Sequence, residues 1–203
     1  MRRRCRRGSA AFTLVEMLIV VSLVAVVLVL AAPSFRDFIL LQRLKSINAQ
    51  VMTDLQYARS EAVSRGAHVQ AKFQQWTAAS QMSCYVFYTY TDPDPNLGID
   101  KCDCAQPAAS RCEAGATEIR TVQVQEALSV FVRPKAGQSS SFTFDLRTGS
   151  IVPPVLNSSV VLPESFDVEA YIDTPRLLRT VVAWSGRVSG CIPTTSGMPG
   201  VPC

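Results

Sequence analysis

From residue 12 to residue 32 the chain reads FTLVEMLIVVSLVAVVLVLAA, an apolar run that a water-exposed domain cannot easily bury. As a helix these residues extend for about 31 Å, one hydrocarbon thickness, so residues 12–32 are expected to cross a bilayer once. Arg2, Arg3, Arg4, Arg6 and Arg7 precede the run. Basic flanks stay on the cytoplasmic side, which predicts an N-terminus inside and everything after residue 32 exported. A single carboxylate, Glu16, interrupts the run. Left unpaired at the centre of a membrane helix it would cost on the order of 3 kcal/mol. The residues alone leave two readings of it: hydrated near the cytoplasmic interface, or paired with something in the membrane. An ordinary cleaved signal peptide fits poorly, because the one small-residue site after the run, Ala31-Ala32, is followed by Pro33.

The basic leader also accounts for the charge of the whole chain. The formal net charge is +4, but without residues 1–11 the remaining 15 basic residues face 16 acidic ones, a net of −1. Bulk charge therefore gives no case for nucleic-acid binding. At 203 residues, 48% hydrophobic and 18% charged, the chain is long enough for one ordinary core and is not a disordered polymer.

Beyond Pro33 the apolar positions Phe35, Phe38, Ile39, Leu41, Leu44, Ile47, Val51, Leu55, Ala58 and Ala62 recur every three or four residues. That period is helical, and Arg36, Asp37, Arg43, Lys45, Asp54, Arg59 and Glu61 are read as the opposite, solvated face. One long helix is expected, ending near Gly66 as its C-cap. From residue 69 the period falls to two and β-branched and aromatic residues dominate. Strands are predicted at 69–73, 84–90, 117–132, 141–144, 166–171, 177–184 and around Val188, with Pro153, Pro154, Pro163 and Pro175 in the intervals. The fold class is α+β, a helical spine against an antiparallel sheet. Its organisation is a leader (1–11), a membrane segment (12–32), an amphipathic helix (33–66) and a β-rich body (67–203).

The string Ala11-Phe12-Thr13-Leu14-Val15-Glu16, behind a short basic leader and ahead of an apolar run, resembles the processing site of type IV prepilins and of the pseudopilins of type II secretion. The resemblance implies that a prepilin peptidase cuts between Ala11 and Phe12 and that the new amino group of Phe12 is methylated. It further implies that Glu16 pairs with the N-terminal amine of a neighbouring subunit, and that Pro33 bends or loosens the buried helix. The usual residue before the cut is Gly, and Ala11 departs from it, which bears on how fast and completely the leader is removed. The run 54–62, with the later Arg179-Thr180-Val181-Val182 and Ser185-Gly186-Arg187-Val188, is similar to the GspH/FimT group of minor pilins and pseudopilins. This implies assembly with other pilins or pseudopilins at an inner-membrane platform, helping to start or cap a type IV pilus or a type II secretion pseudopilus.

Six cysteines lie in the body: Cys84, Cys102, Cys104, Cys112, Cys191 and Cys203; Cys5 lies in the leader. An even six in an exported body predicts disulfides rather than a thiolate metal site. Cys102 and Cys104 are too near in sequence to pair readily with each other, so each is expected to reach elsewhere, to Cys84 or Cys112 for example. Cys191 and Cys203 would close the C-terminal tail, worth on the order of 3 kcal/mol in the chain-entropy model.

Other candidate chemistry is thin. Asp92, Asp94, Asn96 and Asp100 alternate as calcium ligands do, but the spacing misses the EF-hand pattern and two prolines favour a solvated turn. The single histidine, His68, is read as a surface residue, and no phosphate loop or nucleophile elbow is present, so no enzyme and no cofactor is expected. Some FimT-type pilins bind DNA through a C-terminal Gly-Arg-any-Arg pattern. This chain has Gly186-Arg187-Val188-Ser189, which leaves Arg176, Arg179 and Arg187 as a sparse candidate patch for DNA uptake. A third reading is a signal-anchored envelope protein that joins no filament.

Overall fold

The computed structural model describes residues 13–91, 100–152 and 165–203, the side chains of residues 30–33 excepted. Ala11, Phe12, Asp92, Asp94, Asn96, Pro153, Pro154, Pro163 and the Pro33 side chain therefore lie outside the described residues. The chain divides between Ile39 and Leu40 into two units.

Helix α1 (Leu14–Arg65) contributes to both units. Thr13 caps it, its hydroxyl accepting the Glu16 N–H at 3.3 Å, the first half of a capping-box arrangement. Within the apolar run Ser22 turns its hydroxyl back to the Ile19 carbonyl at 2.8 Å, so this hydroxyl needs no water. No single straight helix among the described residues is long and apolar enough to cross a membrane, although Leu14–Val29 and Ser34–Arg65 qualify together. The far end stops at Gly66, whose φ of +59° suits glycine, and the Ala67 N–H closes on the Ala62 carbonyl at 3.2 Å as in a Schellman motif.

In the second unit the helix buries Leu44, Val51, Leu55, Ala58 and Ala62. The buried stripe begins at Leu44: Phe35 and Phe38, which share its period, are 64% and 56% exposed. Among the described residues nine strands follow: β1 (Val69–Gln74), β2 (Met82–Tyr90), β3 (Ala116–Gln125), β4 (Phe131–Pro134), β5 (Ser141–Phe144), β6 (Ile151–Val152), β7 (Ser165–Asp173), β8 (Arg176–Ala183) and β9 (Val188–Cys191). They form two antiparallel sheets where one was expected, a five-stranded β3-β2-β1-β5-β6 and a four-stranded β4-β7-β8-β9. The division arises at residues 117–132, read from sequence as one strand. A 3₁₀ turn at Glu126–Leu128, followed by Ser129 at φ +55°, ends β3 and redirects β4 into the second sheet. Strand β6 was not anticipated, since two residues are too few to show a period.

Phe166 of β7 packs on Phe73 (5.8 Å between centroids) and Phe142 (4.4 Å), which joins the sheets into one core under α1. Strand β2 is buried on both faces. Tyr85 and Phe87 enter the core beneath the helix, whereas Cys84, Val86, Tyr88 and Tyr90 pack with Cys102 and Cys104 on the other side. That double burial explains why the strand reads as a continuous apolar run rather than an alternating one.

Candidate functional site

The N-terminal half of α1 stands out first. Every large apolar side chain from Leu14 to Val29 is at least half exposed, and Glu16 is exposed among them. An apolar surface this continuous needs lipid or other helices around it. The Ala11–Phe12 bond, expected from the sequence to be cut, lies just before the described residues.

A second constellation holds the other half of α1 to the sheets. Asp54, read from sequence as solvated, is 2% exposed: its Oδ2 accepts the Tyr85 hydroxyl at 2.7 Å and its Oδ1 meets Arg120 Nε at 3.0 Å. Burial and the hydrogen bond to Asp54 push the Tyr85 hydroxyl well above the ordinary tyrosine range. One turn further along, Arg59 donates from Nε to the Gly149 carbonyl and from Nη2 to the Ser185 carbonyl, both at 3.1 Å. Those carbonyls belong to two separate turns. The first follows β5, where Asp145 Oδ1 accepts the Arg147 and Thr148 N–H groups and the Thr148 hydroxyl. Partial burial works against its ionisation, but these bonds prevail and hold the Asp145 carboxyl below the usual range. The second turn joins β8 to β9. The Ile151 N–H donates to the Trp184 carbonyl at 3.0 Å, so turn meets turn directly. At Gly186, with φ +76°, an added Cβ would lie 1.9 Å from the Gly149 carbonyl oxygen. Only glycine allows that approach. The signal for Asp54 was present in the sequence: it sits three residues after Val51 and directly before Leu55, inside the apolar stripe. Nothing in the sequence announces that Arg59, Gly149 and Ser185 meet.

The arginines singled out from the sequence are not brought together. Arg176 bonds Asp173 and holds that carboxyl below its usual range. Arg179 is 16% exposed and donates to Glu169 at 2.9 Å, with Asp167 at 4.0 Å; those carboxylates also meet Arg133 and Lys135. Arg187 is exposed on the β8–β9 turn. The span from Arg176 to Ala183 alone separates it from Arg176 by about 23 Å at the strand rise. These contacts give no support to a DNA surface built on the three. Asp100 ion-pairs with Lys72 at 2.9 Å, and no group of three or more candidate metal-ligating His, Cys, Asp or Glu side chains occurs among the described residues. His68 is half-buried and lies 6.4 Å from the Tyr90 ring, rather than on the open surface.

The cysteines join as Cys84–Cys104, Cys102–Cys112 and Cys191–Cys203. The first two pin the segment that covers the outer face of β2. The third closes the tail, whose Met198 packs on the cluster of Leu44, Val130 and Ala170.

The sequence profile described as type II transport protein GspH matches residues 49–186, and the prokaryotic N-terminal methylation motif matches residues 6–32. Two crystal forms of the type IV minor pilin FimU of Pseudomonas aeruginosa (strain PAO1) are similar in structure. Each is 17% identical; one has a TM-score of 0.46 over 73% of this chain and 87% of that one, the other 0.44 over 72% and 90%. No curated protein matches in sequence. The GspH match runs from the buried stripe of α1 to the turn where Gly186 meets Gly149, and with the methylation motif ahead of it the chain belongs to the GspH family, as a GspH/FimT-like pilin carrying a prepilin N-terminus.

Proposed function

We infer that this chain is a minor pilin or pseudopilin that a prepilin peptidase cuts between Ala11 and Phe12, with methylation of the Phe12 amine, and that it enters a filament to initiate or cap it. The observation that carries this reading is the exposed apolar half of α1, bearing one carboxylate at Glu16 within the methylation motif. In a bundle of such helices the apolar side chains pack on one another and on lipid. Glu16 pairs with the free amine of a neighbouring subunit, which removes the cost of an isolated charge in the membrane. Pro33 lacks the amide proton that would continue the helix ladder, which loosens the buried helix at that point.

Before processing, the chain spans the inner membrane once with the basic leader cytoplasmic and the disulfide-bonded body periplasmic. Its partners are other pilins or pseudopilins, the prepilin peptidase and the inner-membrane assembly platform of a type IV pilus or a type II secretion system. Mass spectrometry of the N-terminal peptide from native membranes tests the reading. A chain starting at N-methylated Phe12 is expected; one retaining Met1, or starting near Pro33, overturns it.

A further inference from the structure

The clamp around Arg59 has an outer side. Beside it the helix and the two turns bound an open cleft of about 540 Å³ into which Arg59, Arg147 and Arg187 all contribute, with Gln56, Ser60 and Val63 along the helix wall. Among the described residues no carboxylate lines it. Arg147 and Arg187 are exposed, and no acid among the described residues pairs with either guanidinium. Six other arginines are paired: Arg65, Arg111, Arg120, Arg133, Arg176 and Arg179 each meet a carboxylate. Three like charges gathered without a counter-charge, in a chain whose net charge beyond residue 11 is −1, repel one another until an anion arrives.

Arg59 is also held in place before any ligand binds. Two of its five N–H donors go to Gly149 and Ser185, which fixes the fork and leaves the remaining donors for an incoming acceptor. A fork already immobilised loses little further entropy on binding. Arginine matches carboxylate geometry in a bidentate fashion, and Gln56 and Ser60 add uncharged hydrogen-bonding groups. Val63 is 48% exposed, an apolar wall suited to the aliphatic stem of an acidic side chain. No aromatic ring lines the cleft on which a nucleobase would stack, and three phosphate contacts would bind weakly and with strong salt dependence.

We propose that this cleft is a docking site for an acidic, carboxylate-bearing segment of a neighbouring filament subunit, received by Arg59, Arg147 and Arg187. The identity of the partner as a subunit rests on the filament reading above; the cleft's preference for carboxylates does not.

The test uses the full chain in non-ionic detergent and fluorescence anisotropy of labelled hexaglutamate, with hexaglutamine and an oligothymidylate of equal charge as comparisons. Hexaglutamate is expected to bind, hexaglutamine not. The double variant Arg147→Ala/Arg187→Ala is expected to weaken hexaglutamate binding about tenfold or more, as the loss of two charge-assisted contacts implies. Arg133→Ala, which removes a paired arginine on β4, the edge of the second sheet opposite β9, should leave binding unchanged. Both substituted side chains are exposed, and near-ultraviolet circular dichroism verifies that the fold persists. Equal binding by the double variant and the unaltered chain overturns the proposal, as does tighter binding of the oligothymidylate. N-terminal processing is measured on the same preparation: methylated Phe12 without hexaglutamate binding sinks the docking site and spares the filament reading, and binding by an unprocessed chain does the reverse.

Discussion

At the scale of single residues, the buried contacts of α1 carry opposite sensitivities. Tyr85 donates a hydrogen bond to a buried carboxylate oxygen, and burial keeps the hydroxyl neutral in the folded chain. Its folded pKa is raised, so the contribution to stability is fully present below the unfolded value near 10 and is lost as pH rises beyond it. Chemical denaturation across pH 8 to 11 should show Tyr85→Phe less stable by about 1 kcal/mol near neutrality, with the difference shrinking above pH ~10 by about 1.4 kcal/mol per unit. A gap that stays constant with pH would show that the hydroxyl ionises as freely folded as unfolded. Gly186 behaves differently, because its requirement is steric. Gly186→Ala combines a left-handed backbone with a Cβ driven into the Gly149 carbonyl, and should cost about 2–4 kcal/mol in thermal or denaturant unfolding. A cost under about 0.5 kcal/mol would mean that the two turns separate without penalty.

At the scale of elements, α1 is one helix with two solvents. Its second half is a packing stripe: Leu55 is fully buried among Phe73, Tyr85 and Phe87 of the core cluster, and Leu55→Ala should destabilise the body by about 2–5 kcal/mol. Phe38 has the same period yet is exposed, so Phe38→Ala should change unfolding by less than about 0.5 kcal/mol. Equal effects of the two substitutions in denaturant titrations would place Phe38 inside the folded body after all. Helical spacing made α1 legible, since three- and four-residue recurrence needs no knowledge of what lies opposite. It did not reveal where the stripe starts, and although the spacing sets Asp54 beside Val51 and Leu55 it did not show that the carboxylate is buried, because a buried carboxylate is tolerated only once Tyr85 and Arg120 are in place to receive it. Strand β2 was equally clear as a strand. The course of 117–132 was not, because β3 and β4 are both β-rich and only the left-handed Ser129 between them marks the change of sheet.

For the whole molecule, the Cys191–Cys203 bond ties the end of the chain back to β9, and the closed tail brings Met198 to Leu44 on α1. Replacing both cysteines with serine should lower stability by about 3 kcal/mol, read as a fall in denaturation midpoint in the absence of reductant. The native chain in reductant should fall at least as far, since all three bridges then open. A double-serine variant as stable as the native chain would show that the tail contributes nothing to the body's stability. The other two bridges serve a different end, holding residues 100–113 over the second face of β2 so that Val86 and Tyr88 stay dry.

The sequence by itself determined the properties that depend on neighbouring residues alone: an apolar span with one carboxylate, the run of arginines ahead of it, the helical and strand periods, the glycine that stops α1, and an even cysteine count in the body suited to disulfides. Each follows from local spacing or from the solvent a segment can tolerate, and each is present before the chain has any shape. Tertiary structure alone decided the rest: the split into two sheets, which cysteines join, the burial of Asp54, the pairing of Arg179 with Glu169, and the meeting of Arg59 with Gly149 and Ser185. Those depend on which surfaces are pressed together across long stretches of chain, where desolvation makes a charge find a partner and a close backbone approach admits only glycine.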